Sequence, residues 1–191
     1  MRWAPEQGHV PRGFHGAYGG QNEVELVLVF AEPGDPHAGE AHSGLDSAFK
    51  YAGFAFKSGK DHFHRNVRLI LDMCWPGEPL ETQLRRTWLT ESVLCSAEQE
   101  GGTVPRISTL ACGEIYLKKQ LALFPTALVV ALGKKAQARL RGIGVRDFLP
   151  AFAAAPPGCN FKGATESWSK IAQVVSSRRL TASCGESIRT G

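Results

Sequence analysis

Acidic and basic residues stand beside three apolar segments of this sequence, where they could take part in chemistry. Glu32 comes just after one apolar run and Glu91 lies within a second, while the third is followed by Gly133, Lys134 and Lys135. A carboxylate can orient an attacking water molecule or stabilise developing positive charge. A glycine and lysines at the start of a helix can hold a phosphate through backbone N–H groups and charge. Adjacent lysines are more often simply solvated, so alone this pattern is a weak indication of a phosphate site.

The apolar patterning predicts the elements that must position these residues. Residues 24–30 (VELVLVF) and 127–132 (ALVVAL) are nearly continuous apolar runs, typical of strands buried on both faces of a parallel sheet. Residues 87–95 suit a third strand. The alternation of strands and helices indicates an α/β fold. Helices are predicted over residues 45–56 with Asp46 as a possible cap, 61–73, 114–124, from 134 to 140, and 165–175 with Thr165 as a plausible N-cap.

Ligands of open parallel sheets bind beyond the carboxyl ends of the strands. We therefore expect one crevice faced by the loops after Phe30, around Glu91, after Leu132 and near Pro156. Outside this domain, which spans residues 23–175, glycine and proline predict an irregular arm over residues 1–22. Residues 176–191 are polar and predict a frayed tail.

Composition sets broad limits on the class of protein. The 191 residues are 43% hydrophobic, which suits one globular domain. A net charge of +4 is compatible with a polyanionic partner without demonstrating one. The sequence has no apolar run of about 20 residues and no apolar core of a signal peptide near its start, so we expect a cytoplasmic protein without a membrane partner. Five scattered cysteines without a CxxC pair argue against a disulfide framework and a zinc ribbon.

The ordered motifs form a longer pattern. After residues 30–34 (FAEPG) come 89–95 (LTESVLC), 112–117 (CGEIYL), Gln120 with Leu121, Pro125, 129–136 (VVALGKKA) and 155–160 (APPGCN). In this order they resemble the motifs of the uracil-DNA glycosylase superfamily, especially the thermophile-type branch, whose first strand ends in GEAPG. The resemblance covers roughly residues 24–175. Chance agreement over so many ordered positions is improbable, whereas AxPG alone would carry little weight.

The resemblance implies a fold and an activity. The fold would be a single-domain three-layer αβα sandwich with a mainly parallel central sheet. The activity would be DNA repair by hydrolysis of the N-glycosidic bond of uracil, or of a related deaminated base, in single- or double-stranded DNA, leaving an abasic site. We expect a monomer that needs no metal or other cofactor.

The resemblance also implies roles for individual residues. Glu32 would orient the attacking water, and His37 or His42 would compensate for a missing catalytic histidine. His42 would stack on the base, with Phe49 or Phe54 as substitutes. A loop side chain, Asn160 or Phe161, would wedge the gap left by the extruded base. The base pocket would comprise Ala31, Pro33, Gly34, His42 and Glu91, and the DNA contacts Gly133, Lys134, Lys135, Pro156, Pro157 and Asn160.

The sequence differs from the family pattern in three respects. Cys95 and Cys112 look like two of four iron–sulfur ligands, but no cysteine precedes Cys74, so a family-type cluster cannot be assembled. Ala155 takes the place of the catalytic histidine, whose loss should lower activity without abolishing binding. Glu91 takes the place of an Asn that reads the uracil edge, and a carboxylate offers only acceptors unless it is protonated.

The sequence leaves alternatives open. Glu32 could be an ordinary turn residue, and Glu91 a surface or strand-end residue if the alignment is off by one. A superfamily member that binds uracil-containing or abasic DNA without turnover is the second hypothesis. A small-molecule hydrolase or nucleotide-binding protein is the third, although the sequence contains no GxSxG, Walker A or GxGxxG pattern.

Overall fold

A five-stranded, mostly parallel sheet forms the centre of the molecule. The computed structural model describes residues 12–34, 40–97 and 101–187, without the side chains of 182–187. The strand order is β1-β3-β2-β4-β5, and only β1 is antiparallel to its neighbour. This confirms the predicted α/β class. The strands are β1 (Phe14–Gly16), β2 (Leu26–Phe30), β3 (Thr87–Glu91), β4 (Leu128–Leu132) and β5 (Leu149–Ala151).

Helices alternate with the parallel strands. They are α1 (Leu45–Ser58), α2 (His62–Cys74), α3 (Leu80–Arg85), α4 (Arg106–Cys112), α5 (Lys118–Ala122), α6 (Lys134–Gly142) and α7 (Ala164–Ser187). A π-helical turn, Gly113–Leu117, joins α4 to α5. Within the described ranges, no helix combines the length and apolarity needed to cross a membrane.

The central strand β2 is buried on both faces because its side chains alternate between two apolar layers. Leu26, Leu28 and Phe30 pack with buried side chains of α1, α2 and α7. Val27 and Val29 pack on the other face with residues that include buried side chains of α6. The continuous apolar run that predicted this strand is therefore explained by helices on both sides of the sheet.

Both ends of the predicted domain require correction. Within the predicted irregular arm, residues 14–16 form β1, an edge strand paired with β3 from Phe14 to Gly16; residues 1–11 lie outside the described part. The predicted frayed tail is helical through Ser187. Arg178 donates to the Thr126 carbonyl (3.1 Å), and Arg179 lies 3.6 Å from Glu25, so contacts at the amino-terminal ends of the strands hold this polar helix.

Several local predictions also differ from the structure. Asp46 and Thr165 lie inside the first turns of α1 and α7 rather than at their N-caps. The helix predicted from residue 114 begins at Arg106 as α4, and the strand predicted to reach residue 95 ends at Glu91. The strand β5 was not predicted because Pro150 interrupts its pattern; β5 is at the sheet edge, where proline is tolerated.

Candidate functional site

The carboxyl ends of β2, β3 and β4 meet at one edge of the sheet. The chain leaves β2 toward α1 on one face and leaves β4 toward α6 on the other, although these strands are neighbours. Such a divergence opens a crevice between adjacent strand ends, which is the usual ligand position in an α/β sheet. The loops after β2, β3 and β4 therefore converge as predicted.

Glu32, just beyond β2, is held by two cations from α6. Its side chain is 7% exposed, and its Oε1 accepts a 2.5 Å hydrogen bond from Lys135 Nζ. Arg139 Nη1 lies 2.5 Å from Oε2 and forms an ion pair with it, but the N–H direction does not fit a hydrogen bond to this oxygen. Lys135 also donates to the carbonyls of Gly101 (3.0 Å) and Gly102 (2.8 Å), so it ties a third loop to this carboxylate.

Arg139 fixes the loop on which Glu32 lies. Its Nη1 donates to the Ala31 carbonyl (2.7 Å) and to Ser92 Oγ (3.1 Å). Ser92 Oγ itself donates to the same Ala31 carbonyl (2.7 Å). The strand ends of β2 and β3 and the helix α6 are thus joined at one carbonyl oxygen, next to the Glu32 carboxylate that Arg139 also contacts.

Glu91, the last residue of β3, is a buried carboxyl group of a different kind. Burial raises its pKa well above 4.5, the nearby Glu32 charge raises it further, and Arg139 and Arg12 oppose the shift. Its Oε2 has no hydrogen-bond partner among the described residues. A buried carboxyl without a partner favours its neutral form, which can donate as well as accept a hydrogen bond. Glu91 is therefore a strand-end residue, as one alternative had it, but it is buried rather than on the surface.

Gly13 covers this carboxyl group. Its φ is +80°, and a Cβ atom placed on it would lie 2.2 Å from Glu91 Cγ and 2.9 Å from Pro33 Cγ. A side chain is excluded there, since real Cβ atoms do not approach neighbouring atoms so closely. Any ligand that reaches Glu91 from this direction must displace Gly13.

A second buried ion-pair cluster lies beside Gly13. Arg12 donates to Glu40 Oε1 (2.8 Å), to the Gly34 carbonyl (2.5 Å) and to Ser96 Oγ (3.0 Å). His42 Nε2 lies 2.9 Å from the same Glu40 oxygen. Arg12 thereby links the loops that follow β2 and β3.

The residues predicted to bind the base lie at this crevice with different exposures. Ala31 and Gly34 contribute carbonyl acceptors to the two clusters, and Pro33 is buried against Gly13. The His42 side chain is 4% exposed, bonded to Glu40, and packs edge-on against Tyr51 with ring centroids 5.2 Å apart. Its ring therefore has contacts within the protein rather than an open face. His37, predicted to assist catalysis, lies outside the described residues.

The start of α6 carries the predicted phosphate contacts. Gly133 has φ +90°, and a Cβ on it would lie 2.9 Å from that of Ala153. Its N–H is already bonded to the Ala151 carbonyl (2.9 Å), so an anion at this helix start could use only the amides that follow it, such as those of Lys134 and Lys135. Lys134 is exposed, whereas the ammonium group of Lys135 is engaged with Glu32.

The predicted wedge loop follows β5. Pro156 and Pro157 are exposed, and the short 3₁₀ turn Gly158–Asn160 comes directly after them. Asn160 is exposed and accepts a 3.3 Å hydrogen bond from Cys159 Sγ. Ala155, at the family's histidine position, is half-buried and offers only its backbone, whose carbonyl accepts from the Cys159 N–H at 3.1 Å.

The two cysteines that resemble cluster ligands lie near each other. Burial raises the pKa of Cys95, and the neighbouring Cys112 raises it further. Burial also raises the pKa of Cys112, although a 3.4 Å hydrogen bond from the Leu94 N–H to its sulfur opposes the shift. Both thiols are unpaired in disulfide terms. The described part of the chain has no group of three or more His, Cys, Asp or Glu side chains that could hold a metal ion.

Sequence reasoning missed three charged residues of the site: Arg12, Glu40 and Arg139. Arg139 could have been found, because it lies four residues after Lys135 and therefore on the same face of α6. Arg12 and Glu40 lie in glycine-rich segments that have no periodic pattern, so no local signal identifies their pairing.

Among the described residues, the crevice therefore contains one ion-paired carboxylate, one buried carboxyl group whose Oε2 lacks a hydrogen-bond partner, and two arginines from distant parts of the chain. Its relation to the uracil-DNA glycosylases rests on the ordered motifs and stays a prediction. Neither a protein-family model nor a curated protein matches this chain.

Proposed function

We propose that this protein is a DNA glycosylase of the uracil-DNA glycosylase type. It would hydrolyse the N-glycosidic bond of uracil or of a related deaminated base and leave an abasic site. The observation that carries the proposal is the presence of Glu32 and Glu91 at adjacent strand ends: Glu32 is bound by cations, whereas Glu91 is buried and its Oε2 has no hydrogen-bond partner among the described residues. Two carboxyl groups in such different environments can take different roles in one reaction.

Glu32 would act on the sugar side of the bond. Its carboxylate would accept a proton from water as the water oxygen bonds to C1′, while the C1′–N bond breaks and the base leaves with the bonding electrons. Its negative charge would also stabilise the oxocarbenium-like sugar. Lys135 occupies Oε1 in the structure, but its side chain is 43% exposed. Transfer of this ammonium group to a DNA phosphate would free that oxygen for water.

Glu91 would read the edge of the base. An ionised carboxylate would repel the O4 of uracil, but a neutral carboxyl can accept from N3–H and donate to O4. The burial that raises the pKa of Glu91 supports this neutral form. Entry of the base would require Gly13 to move away from Glu91.

The rest of the surface suits a DNA backbone beside this crevice. The exposed Lys134 and the first backbone N–H groups of α6, which have no partner within a helix, would bind a phosphate. The loop containing Pro156, Pro157 and Asn160 would contact the strand next to the extruded base.

The test is base excision by the purified protein. Oligonucleotides with one uracil, hypoxanthine or xanthine, single-stranded and duplex, are incubated and then examined for alkali-labile abasic sites. Glu32→Gln, prepared identically, should cut about a hundredfold more slowly or worse, because a general base is lost. Glu166→Gln is the matched control, since that carboxylate is 74% exposed on α7. Equal rates for wild type and Glu32→Gln would remove Glu32 from the catalytic role.

A binding protein without turnover is the second candidate. It is favoured by Ala155, which leaves the site without the family's histidine, and by the cations that occupy both Glu32 oxygens. Tight binding of uracil-containing or abasic DNA without any strand scission would establish this candidate. Absence of both binding and scission would reject both functions.

A further inference from the structure

We propose that Phe152 and Phe161 form a stacking platform for an unpaired nucleobase next to the crevice. The inference rests on the proposed nucleic-acid function and extends it, because it gives the site a preference for single-stranded substrate. Phe152 was not among the predicted site residues.

The two rings form an exposed pair on the surface. Their centroids are 6.1 Å apart and their planes are inclined by 32°. Phe152 is 40% exposed and Phe161 is 60% exposed. Aromatic pairs favour offset arrangements at such separations, and each ring still presents apolar surface to solvent. A planar base could add to the pair by covering that surface.

The backbone under the rings is fixed. The Phe152 N–H donates to Ser167 Oγ (3.1 Å), and Trp168 Nε1 donates to the Phe152 carbonyl (3.0 Å). The Phe161 carbonyl accepts from the Ala164 N–H (3.0 Å) at the start of α7. The backbones of both residues are thus hydrogen-bonded to the first turns of α7, so little backbone conformational entropy would be lost when a base binds.

The platform lies beside the proposed phosphate site. Ala153, next to Phe152, is packed between Gly133 and Gly158: a Cβ on either glycine would come within 2.9 Å of the Ala153 Cβ. Gly133 immediately precedes Lys134, which is exposed, and the exposed Lys162 follows Phe161. Proteins that bind single-stranded nucleic acids combine aromatic rings, which stack on the bases, with basic side chains, which bind the phosphates. Two rings with lysines nearby in the chain fit this combination.

The composition of the patch favours a nucleobase over an apolar protein partner. The exposed large aliphatic side chains, such as Ile107 and Ile115, lie elsewhere in the chain, and none belongs to the described segment 152–162 that carries the rings. A protein-binding patch would be expected to continue into such aliphatic surface.

The test is binding of undamaged DNA, measured by fluorescence anisotropy with a labelled oligothymidine. Phe152→Leu and Phe161→Leu keep apolar volume but remove the ring, and each should weaken single-strand binding about tenfold. Tyr116→Leu, which removes a ring that is 48% exposed on the π-helical turn, is the matched control and should bind like wild type. Thermal unfolding of each variant checks that it is folded. Phe161→Trp keeps a ring at this position and enlarges it, so this variant should bind oligothymidine at least as tightly as wild type.

The slope of log affinity against log salt should stay unchanged in the leucine variants, because no phosphate contact is lost. The platform is rejected if the double leucine variant binds as tightly as wild type. It is also rejected if wild type fails to bind single strands at about 100 µM in low salt, the weak limit of non-specific binding. Because excision of a base is a separate readout, a failed platform leaves the glycosylase proposal standing, and the reverse also holds.

Discussion

The two carboxyl groups at the crevice, Glu32 and Glu91, are close in space but opposite in environment. Glu32 has a lysine on one oxygen and an arginine on the other. Glu91 has an unpartnered Oε2, lies against the backbone of Gly13, and has a pKa raised by burial and by the Glu32 charge. One charged group therefore helps to keep its neighbour neutral.

Burial alone does not define the chemistry of an acidic residue. Both side chains are almost inaccessible, and the contrast comes from their partners: α6 supplies two cations to Glu32, whereas the segment at residues 12–13 brings a glycine over Glu91. Substitution of these partners should therefore affect the two carboxyl groups differently.

Arg139→Met should cause the largest loss of stability. It leaves Glu32, whose side chain is 7% exposed, without its buried counter-ion, and it removes the donor to the Ala31 carbonyl. We expect the free energy of unfolding to fall by about 3 kcal/mol, measured by urea denaturation. That value is at the lower end for a broken buried pair because Lys135 still binds Oε1.

The control for Arg139→Met is Arg141→Met on the same helix. Arg141 is exposed, with its guanidinium carbon 5.3 Å from the centre of the Phe148 ring, and its loss should cost less than about 1 kcal/mol. Equal losses in the two variants would show that the buried ion pair does not stabilise the loop of Glu32.

The sequence predicts the strand before Glu32 well and the segment at residues 12–13 poorly, for physical reasons. The strand leading to Glu32 was predicted because it is buried on both faces and is therefore continuously apolar. The crevice followed from the rule that ligands meet the carboxyl ends of parallel strands. By contrast, Gly13 and Arg12 act through contacts with residues far away in the chain, and glycine-rich sequence shows no period that would reveal them. Neutral Glu91 was foreseen only as a conditional possibility, since burial cannot be read from one residue type.

Gly13→Ala should have the next largest effect, a loss of about 2 kcal/mol. Part of the cost is the φ of +80°, and the rest is the 2.2 Å approach of the new Cβ to Glu91 Cγ. Gly144→Ala isolates the first part, because Gly144 has φ +83° but no described atom within 4 Å of the added Cβ. If both variants lose the same stability in urea denaturation, Gly13 does not pack tightly on Glu91.

Glu91→Gln should have the smallest effect at low pH, and the effect should grow in the stabilising direction as the pH rises. Below the ordinary pKa of 4.5 the Glu91 carboxyl is protonated in both the folded and the unfolded chain. As pH rises above that value, the unfolded chain loses the proton while the folded protein keeps it, so wild type loses stability until the pH passes the raised pKa. The glutamine variant has no such loss. Relative to wild type, it should therefore gain more than about 0.5 kcal/mol between roughly pH 4 and pH 8, beyond the range of an ordinary surface substitution.

Urea denaturation at both pH values measures the gain in stability of Glu91→Gln, with Glu166→Gln as the exposed control. In the Gly13→Ala background the gain should shrink, because displacement of residue 13 would hydrate Glu91. A gain independent of pH would mean that Glu91 is ionised in the folded protein, and the contrast with Glu32 would then lie in packing rather than in charge.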